Sequence, residues 1–437
     1  MLSEHTFSNQ FGETTPIRQG IVIPSRRNSR RNLVDSTDHF ALTHITCIEN
    51  GQFAEDYAIV IQAGKITYAG PHANRPSLEG HTVFDGSGKS WIIAPGFIDL
   101  QFNGGYGEDF TANPHSITSV AARLPETGVI AFLPTFITSP LEDYAEKLEA
   151  TLQAEKPHHK TALKTTPGSL VLGAHIEGPF LNPDSRGAHN ASLFHNPTPQ
   201  ALEYLDPRQA IRLLTLATER PGGLDAVRTL VDAGIVVSIG HSQATYDEAQ
   251  AAFEAGVSYA THLFNAMPPP HHREPGLIGA LLTQSALRCG LIVDGIHVHP
   301  AMIKLAYQCL GIGGITLVTD AMAAMGMPPG TYNIGDQRVI VDKTSARLEN
   351  GTLAGSILRM DQAIRNMIQF SGCSLAEAVR MASTTPAEVL GLQDRFGHIL
   401  SGYPANLVLL EASGQVQATW INGQLAYHAA NIFKPPY

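Results

Sequence analysis

Four polar residues of this 437-residue chain stand where chemistry could be assembled. Glu177 closes the run SLVLGAHIE, His241 follows IVVSIG, His262 lies inside SYATHLF, and Asp320 ends ITLVTD. Two neutral imidazoles and one carboxylate hold Zn²⁺ or a similar divalent ion and leave a position open for water, as a catalytic metal site requires. Such an ion acidifies a water and polarises a carbonyl oxygen. A carboxylate beside it, here Asp320, can take the water's proton and pass it to a leaving group. Taken singly, each histidine is more often a satisfied structural residue, because 19 of the 437 positions are histidine. Asp320 alone would equally serve as a helix N-cap. The weight lies in the combination.

Residues so far apart in sequence meet only if a fold gathers them. Eight short apolar runs, at 92–100, 129–136, 169–176, 212–218, 235–240, 258–264, 287–293 and 315–320, alternate with segments such as GLDAVRTLVDAG and ATYDEAQAAFEAG. Several of these segments carry apolar residues at three- and four-residue spacing and end in Gly, as helices do. Apolar strands separated by helices imply a parallel sheet covered on both faces. Eight of them predict an α/β fold, a (β/α)₈ TIM barrel over residues 95–395; an open doubly wound sheet is the alternative. In such a barrel the C-terminal strand ends converge on one mouth. Gln101 and Asn103, Glu177, His241, His262, Asp294 with His297, and Asp320 all occupy those ends. The β-rich stretches at 39–71 and 405–428 predict a small β-sandwich domain built from both chain ends, residues 39–94 and 396–437. Residues 1–38, polar and carrying SRRNSRRN, read as a flexible tail. A transit peptide is the other reading, opposed by Glu4 and Glu13.

Composition narrows the partners. With 43% hydrophobic and 16% charged residues the chain is globular, and a net charge of −10 argues against nucleic acid as a partner. No apolar run reaches the length of a membrane span. Cys47, Cys289, Cys309 and Cys373 are widely spaced, with no CxxC, and read as reduced thiols in a cytoplasmic protein.

The motifs PGFIDLQFNG (95–104), HIEGPFLNP (175–183), RGAHN (186–190), GHSQATYDEA (240–249), THLFNAM (261–267), REPG (273–276), DGIHVHP (294–300), VTDAM (318–322) and GTLAGS (351–356) occur in this order. Together they resemble the N-acetylglucosamine-6-phosphate deacetylase family of the amidohydrolase superfamily, over residues 40–425. The resemblance implies metal-dependent hydrolysis of the acetamide of N-acetyl-D-glucosamine 6-phosphate to D-glucosamine 6-phosphate and acetate, in amino-sugar catabolism. It implies Glu177, His241 and His262 as metal ligands, Asp320 as general base and acid, and His189 as a hydrogen-bond donor to the scissile carbonyl. On the substrate side it implies Gln101, Ala188, Asn265, Ala266, Asp294, His297 and the stretch Leu353, Ala354 and Gly355. Arg273 is implied as a phosphate contact that can reach in from a neighbouring subunit, and hence a homodimer. Asn265 and Ala266 could offer the phosphate free backbone N–H groups.

One departure matters. Many amidohydrolases carry HxH at the end of strand one and bind a second ion there. This chain has Gln101 and Asn103, and amides are poor ligands for divalent transition metals, so one ion per chain is expected. Zn²⁺ heads the list, with Fe²⁺ and other divalent ions left open. A dihydroorotase-like hydrolase of cyclic amides, the nearest rival, usually needs that HxH and a metal-bridging lysine. A non-catalytic barrel would typically have lost ligands that this chain keeps.

Overall fold

Runs such as VIAFLPTFI have no polar face, and a parallel sheet buried on both sides is the place for them. The computed structural model describes residues 39–156, 167–205, 210–430 and 432–433. The tail expected at 1–38 lies outside them. Eight parallel strands form the barrel: β1 (Phe97–Phe102), β2 (Val129–Ile137), β3 (Ala174–Glu177), β4 (Ile211–Leu216), β5 (Val236–Ile239), β6 (Tyr259–Ala260), β7 (Arg288–Ile292) and β8 (Ile315–Val318). Each pairs with the next from β1 to β8. Every residue of β2 is buried. Helices such as Gly223–Asp232, Tyr246–Ala255 and Met360–Ser371 cover the outside. Tyr246–Ala255 begins on a capping box between Thr245 and Glu248 and stops at Gly256 in the left-handed conformation, as the Gly-terminated pattern predicts.

The seam between β8 and β1 closes just beyond β8. The Asp320 N–H donates to the Gln101 carbonyl (2.9 Å) and the Asn103 N–H to the Ala321 carbonyl (2.8 Å). Phe102 and Ala321 form a parallel bridge. Inside the barrel a polar ladder links His175 Nε2 to Thr215 Oγ1 (2.7 Å), Thr215 to Thr261 (2.6 Å) and Thr261 to Ser238 (2.5 Å). The period of two along β3 points both His175 and Glu177 inward, with Glu177 at the strand's end.

The two chain ends meet in one mixed sheet. Its order is Gln424–His428, Val416–Ile421, Leu407–Leu410, Ile92–Pro95, His39–Glu49, Gln52–Gln62, Lys65–Pro71, with Thr82–Asp85 also on His39–Glu49. Leu407–Leu410 pairs antiparallel with Ile92–Pro95, which joins the ends. The expected two-layer packing comes from this single sheet folding over itself: Phe40 stacks on Trp420, ring centroids 5.9 Å apart, although two strands lie between theirs. Phe40, Ile59, Trp91, Leu407 and Trp420 fill that fold. Val408, Leu410, Val416 and Ile421 belong instead to the core shared with the barrel.

One element was not anticipated. A three-stranded antiparallel sheet, Gly330–Ile334, Gln337–Val341 and Ala346–Leu348, is inserted after β8. Its signal is the two-residue Gly335–Asp336 turn, a recognisable hairpin dipeptide. All four cysteines are free. No helix among the described residues is long and apolar enough to cross a membrane.

Trp420 is 1% exposed at the centre of the folded sheet. Trp420→Ala should therefore lower stability by about 3–5 kcal/mol, read from denaturant unfolding. A loss below about 1 kcal/mol would mean that this ring does not hold the two layers together.

Candidate active site

Three of the four residues singled out for chemistry turn into the mouth by the same backbone device. His241, His262 and Asp320 follow β5, β6 and β8 with φ of 48°, 30° and 49°. Residues with a Cβ avoid this left-handed region, at a cost of about 1–3 kcal/mol each. Glu177 needs no such turn, because it is the last extended residue of β3. Close approach also demands a glycine: a Cβ on Gly187, itself at φ 55°, would sit 3.2 Å from His241 Cε1.

Glu177, His241 and His262 converge, all buried. Glu177 Oε1 lies 3.2 Å from His241 Nε2 and 3.0 Å from His262 Nε2, and the two ring nitrogens are 3.0 Å apart. His241 Nδ1 is 2.8 Å from the Ser185 carbonyl, which can only accept, so in the neutral ring the proton sits on Nδ1 and Nε2 offers a lone pair. Zn–N and Zn–O bonds of about 2.0–2.2 Å in a tetrahedron put ligand atoms roughly 3.4 Å apart. The donor set thus fits a divalent ion in both chemistry and spacing. Burial works to raise the Glu177 carboxyl, but the close imidazoles of His241 and His262 outweigh it and hold the group well below its ordinary value.

Asp320 behaves oppositely. Burial, reinforced by the Glu177 charge, pushes it up to about 6. Gln101 Nε2 spans the two carboxylates, donating to Glu177 Oε1 (3.0 Å) and Asp320 Oδ1 (3.1 Å), and Asn103 Nδ2 donates to the same Oδ1 (2.7 Å). Both amides turn N–H groups toward the carboxylates, so neither presents a lone pair there.

His189 is buried, and burial, then the neighbouring His241, push it down to about 3, so its ring is neutral. The Thr138 N–H, which can only donate, points at His189 Nδ1 (3.3 Å), and Thr138 Oγ1 lies 2.9 Å from the same atom. The ring proton is therefore on Nε2, 4.0 Å from Glu177 Oε2. His297 Nδ1 donates to Asp294 Oδ2 (2.6 Å), while Asp294 Oδ1 accepts the Ile296 and His297 N–H groups at 2.8 Å each. Burial works to raise Asp294, but these hydrogen bonds keep it below its usual range.

Of the residues named from sequence, Glu177, Ala188, His189, His241, His262, Asn265, Ala266, His297, Asp320, Leu353 and Gly355 line one cavity. Gln101 stands behind the two carboxylates and Asp294 behind His297. Ala354 is fully buried, its methyl in the core under the inserted sheet, because extended neighbours alternate sides. Arg273 is exposed outside the cavity wall, its guanidinium 2.9 Å from His272 Nε2. The Asn265 N–H is not free as expected: it donates to the His262 carbonyl (2.9 Å). Asn103, noted at its strand end but not assigned to substrate, lines the cavity with Ile137, Gly187, Ile334 and Thr352. Ile334 comes from the unanticipated sheet, and an apolar residue there carries no chemical signal.

Comparison with known proteins places this barrel in a family. Residues 92–426 match the amidohydrolase family, and the chain belongs to it. Among known proteins it is similar to the N-acetylglucosamine-6-phosphate deacetylase of Bos taurus, 40% identical over 352 residues, 77% of this chain and 83% of the relative. The enzyme of the same name from Lysinibacillus sphaericus is 36% identical over 373 residues, covering 85% and 93%. The crystal structure of N-acetylglucosamine-6-phosphate deacetylase from Pasteurella multocida superposes with a TM-score of 0.80 at 32% identity, covering 89% of this chain and 99% of that one. Within the amidohydrolases the chain thus falls among the N-acetylglucosamine-6-phosphate deacetylases, carbon–nitrogen hydrolases.

Any step that needs Asp320 ionised is lost as pH falls through the pKa of this carboxyl. Since burial and Glu177 set that pKa at about 6, and a cation beside it could only lower it, the acid limb of kcat/KM should lie no higher than about pH 6. A limb above neutrality in the pH–rate profile would exclude Asp320 as its source.

Proposed function

We propose that the chain hydrolyses the acetamide of N-acetyl-D-glucosamine 6-phosphate to D-glucosamine 6-phosphate and acetate, a step of amino-sugar catabolism, using one divalent ion held by Glu177, His241 and His262. The observation that carries this reading is the convergence of those three donors with Asp320 and His189 in one cavity. The names of the relatives supply the substrate. Zn²⁺ suits the donor set best and Fe²⁺ is compatible with it. When bound, the ion supplies Lewis-acid chemistry, acidifying a water and polarising the acetyl carbonyl.

The side chains do the rest. Asp320 Oδ1 is occupied by Gln101 and Asn103, while Oδ2 accepts no hydrogen bond among the described residues. Oδ2 takes a proton from water as the water oxygen bonds to the carbonyl carbon. The same proton goes to the sugar nitrogen as the C–N bond breaks, which leaves a free amine and acetic acid, and the acid gives its remaining proton to solvent to become acetate. His189 donates from Nε2 to the carbonyl oxygen, where negative charge develops, and its neutrality keeps the acetate from being held afterwards as an ion pair. The amides of Gln101 and Asn103 turn N–H groups to the carboxylates, and amide oxygens are poor ligands for divalent transition metals, which supports a mononuclear centre.

For the phosphate, His297 is oriented by Asp294, and Asn265 and Ala266 lie beside it in the wall. Ala188, Leu353 and Gly355 give the sugar close-packed sides. Arg273 lies outside its own cavity, and that placement suits a guanidinium reaching a neighbouring chain's phosphate in a homodimer. The four free thiols accord with a cytoplasmic enzyme.

Acetate release from N-acetylglucosamine 6-phosphate is the direct test. It should be present in the isolated protein, abolished by chelation and restored by Zn²⁺ or Fe²⁺. Asp320→Asn should lower turnover by about 10²–10⁴-fold with substrate still bound. No acetate from the metal-loaded protein would overturn the proposal, and a near-normal Asp320→Asn rate would remove that residue's role. Arg273→Ala should raise KM for the phosphorylated sugar and leave the unphosphorylated sugar unaffected. Equal losses on both would mean that Arg273 does not read phosphate.

A further inference from the structure

A second set of metal-binding side chains lies on the small domain, none of it in the wall of the active-site cavity. Three adjacent strands deliver it. The middle one, Gln52–Gln62, carries Asp56; His39–Glu49 on one side carries His44; and His72 directly follows Lys65–Pro71 on the other. The register explains how they meet. Leu42 pairs with Ile59 and Ile45 with Tyr57, so two residues, Thr43 and His44, oppose the single Ala58. Cys47 then pairs with Ala54, so Glu55 and Asp56 oppose the single Thr46. Each strand therefore bulges once, and a bulge re-aims the side chain at its extra residue. His44 and Asp56 both have positive φ, 50° and 46°, a conformation that strand residues avoid. The pairing of Tyr57 with Pro71 brings His72 alongside Asp56.

The donors are close. Asp56 Oδ1 lies 3.0 Å from His44 Nδ1 and 3.9 Å from His72 Nδ1. These values bracket the roughly 3.4 Å between ligand atoms in a tetrahedral zinc site. The two imidazoles lie against each other, centroids 3.6 Å apart against 4.9 Å for His241 and His262, so these partly exposed rings part by a small side-chain rotation to share an ion. The Asp56 side chain is 64% exposed, which leaves room for water to complete a coordination shell. Nearby charges do not compete: Arg75 Nη1 sits on the His72 carbonyl, and Asp85 accepts from the Ser87 N–H and hydroxyl.

We propose that His44, Asp56 and His72 form a second, surface site for a borderline divalent transition-metal ion such as Zn²⁺, which ties three strands of the small domain together. Two imidazoles select such an ion over Mg²⁺ or Ca²⁺, which prefer oxygen ligands. The site is separate from the catalytic chemistry, so its loss leaves deacetylation intact.

The test compares metal content in the full-length protein after equilibration with Zn²⁺ and removal of unbound ion. Wild type should retain one equivalent per chain more than His44→Ala/His72→Ala, and Zn²⁺ should raise its melting temperature more than that of the variant. The same deficit is expected for Asp56→Asn, a change at an exposed side chain that leaves the sheet's pairing intact. Both variants should deacetylate at the wild-type rate, which verifies their fold. Because the readout is a difference between proteins, it does not depend on what the barrel mouth holds. Equal zinc content in wild type and active variants would overturn the proposal and leave the cluster as a plain histidine–aspartate pair. An equal difference with Mg²⁺ would overturn the assigned class of ion.

Discussion

The site rests on how the barrel closes. β8 is short, and its link to β1 is made by the residues that follow it: Asp320 and Ala321 bond to the backbone of Gln101 and Asn103. Asp99, fully buried, reinforces the seam by accepting from Thr319 Oγ1 (2.6 Å) and from the Gln101 and Thr319 N–H groups. Burial pushes its carboxyl up to about 7. Closing the barrel and placing Asp320, the proposed acid–base group, are therefore the same structural event. Where the seam goes, the carboxylate of Asp320 goes, with the amides that orient it.

Two carboxylates share that mouth and are driven in opposite directions. Glu177 faces two imidazoles and is held as an anion, the form a cation needs. Asp320, burdened by burial and by the charge of Glu177, sits near the pH at which it can both take and give a proton. The Gln101 amide donates to both. Environments that split a pair of like groups in this way are how one site can hold a ligand and a proton carrier side by side.

Around this centre the histidines have different tasks, set by the partner of the second ring nitrogen. His241 gives its Nδ1 proton to a carbonyl and so offers Nε2 as a lone pair. His189 accepts at Nδ1 from Thr138 and so offers Nε2 as a donor. His297 is turned by a carboxylate. The inserted sheet after β8 then supplies an apolar wall through Ile334. The small domain, closed by Leu407–Leu410 lying against Ile92–Pro95, ties both ends of the chain to the barrel core.

Much of this was legible in the chain itself. Eight apolar runs, alternating with helix-like segments of which several end in Gly, specify strands and helices through local periodicity, and a parallel barrel buries eight such runs without leaving a sheet edge. Glu177, His241, His262 and Asp320 stand out because two histidines and two carboxylic acids recur in or just past the last residues of separate apolar runs. The tertiary structure alone decided what depends on contacts between distant residues. It turned the Gln101 and Asn103 amides toward carboxylates, tied up the Asn265 N–H on His262, faced Ala354 away from the cavity and left Arg273 outside it. It also brought Ile334 into the wall and set His44 and His72 against Asp56. Side-chain direction, tautomer and pKa are properties of neighbours, and neighbours across a barrel have no local signature in the sequence.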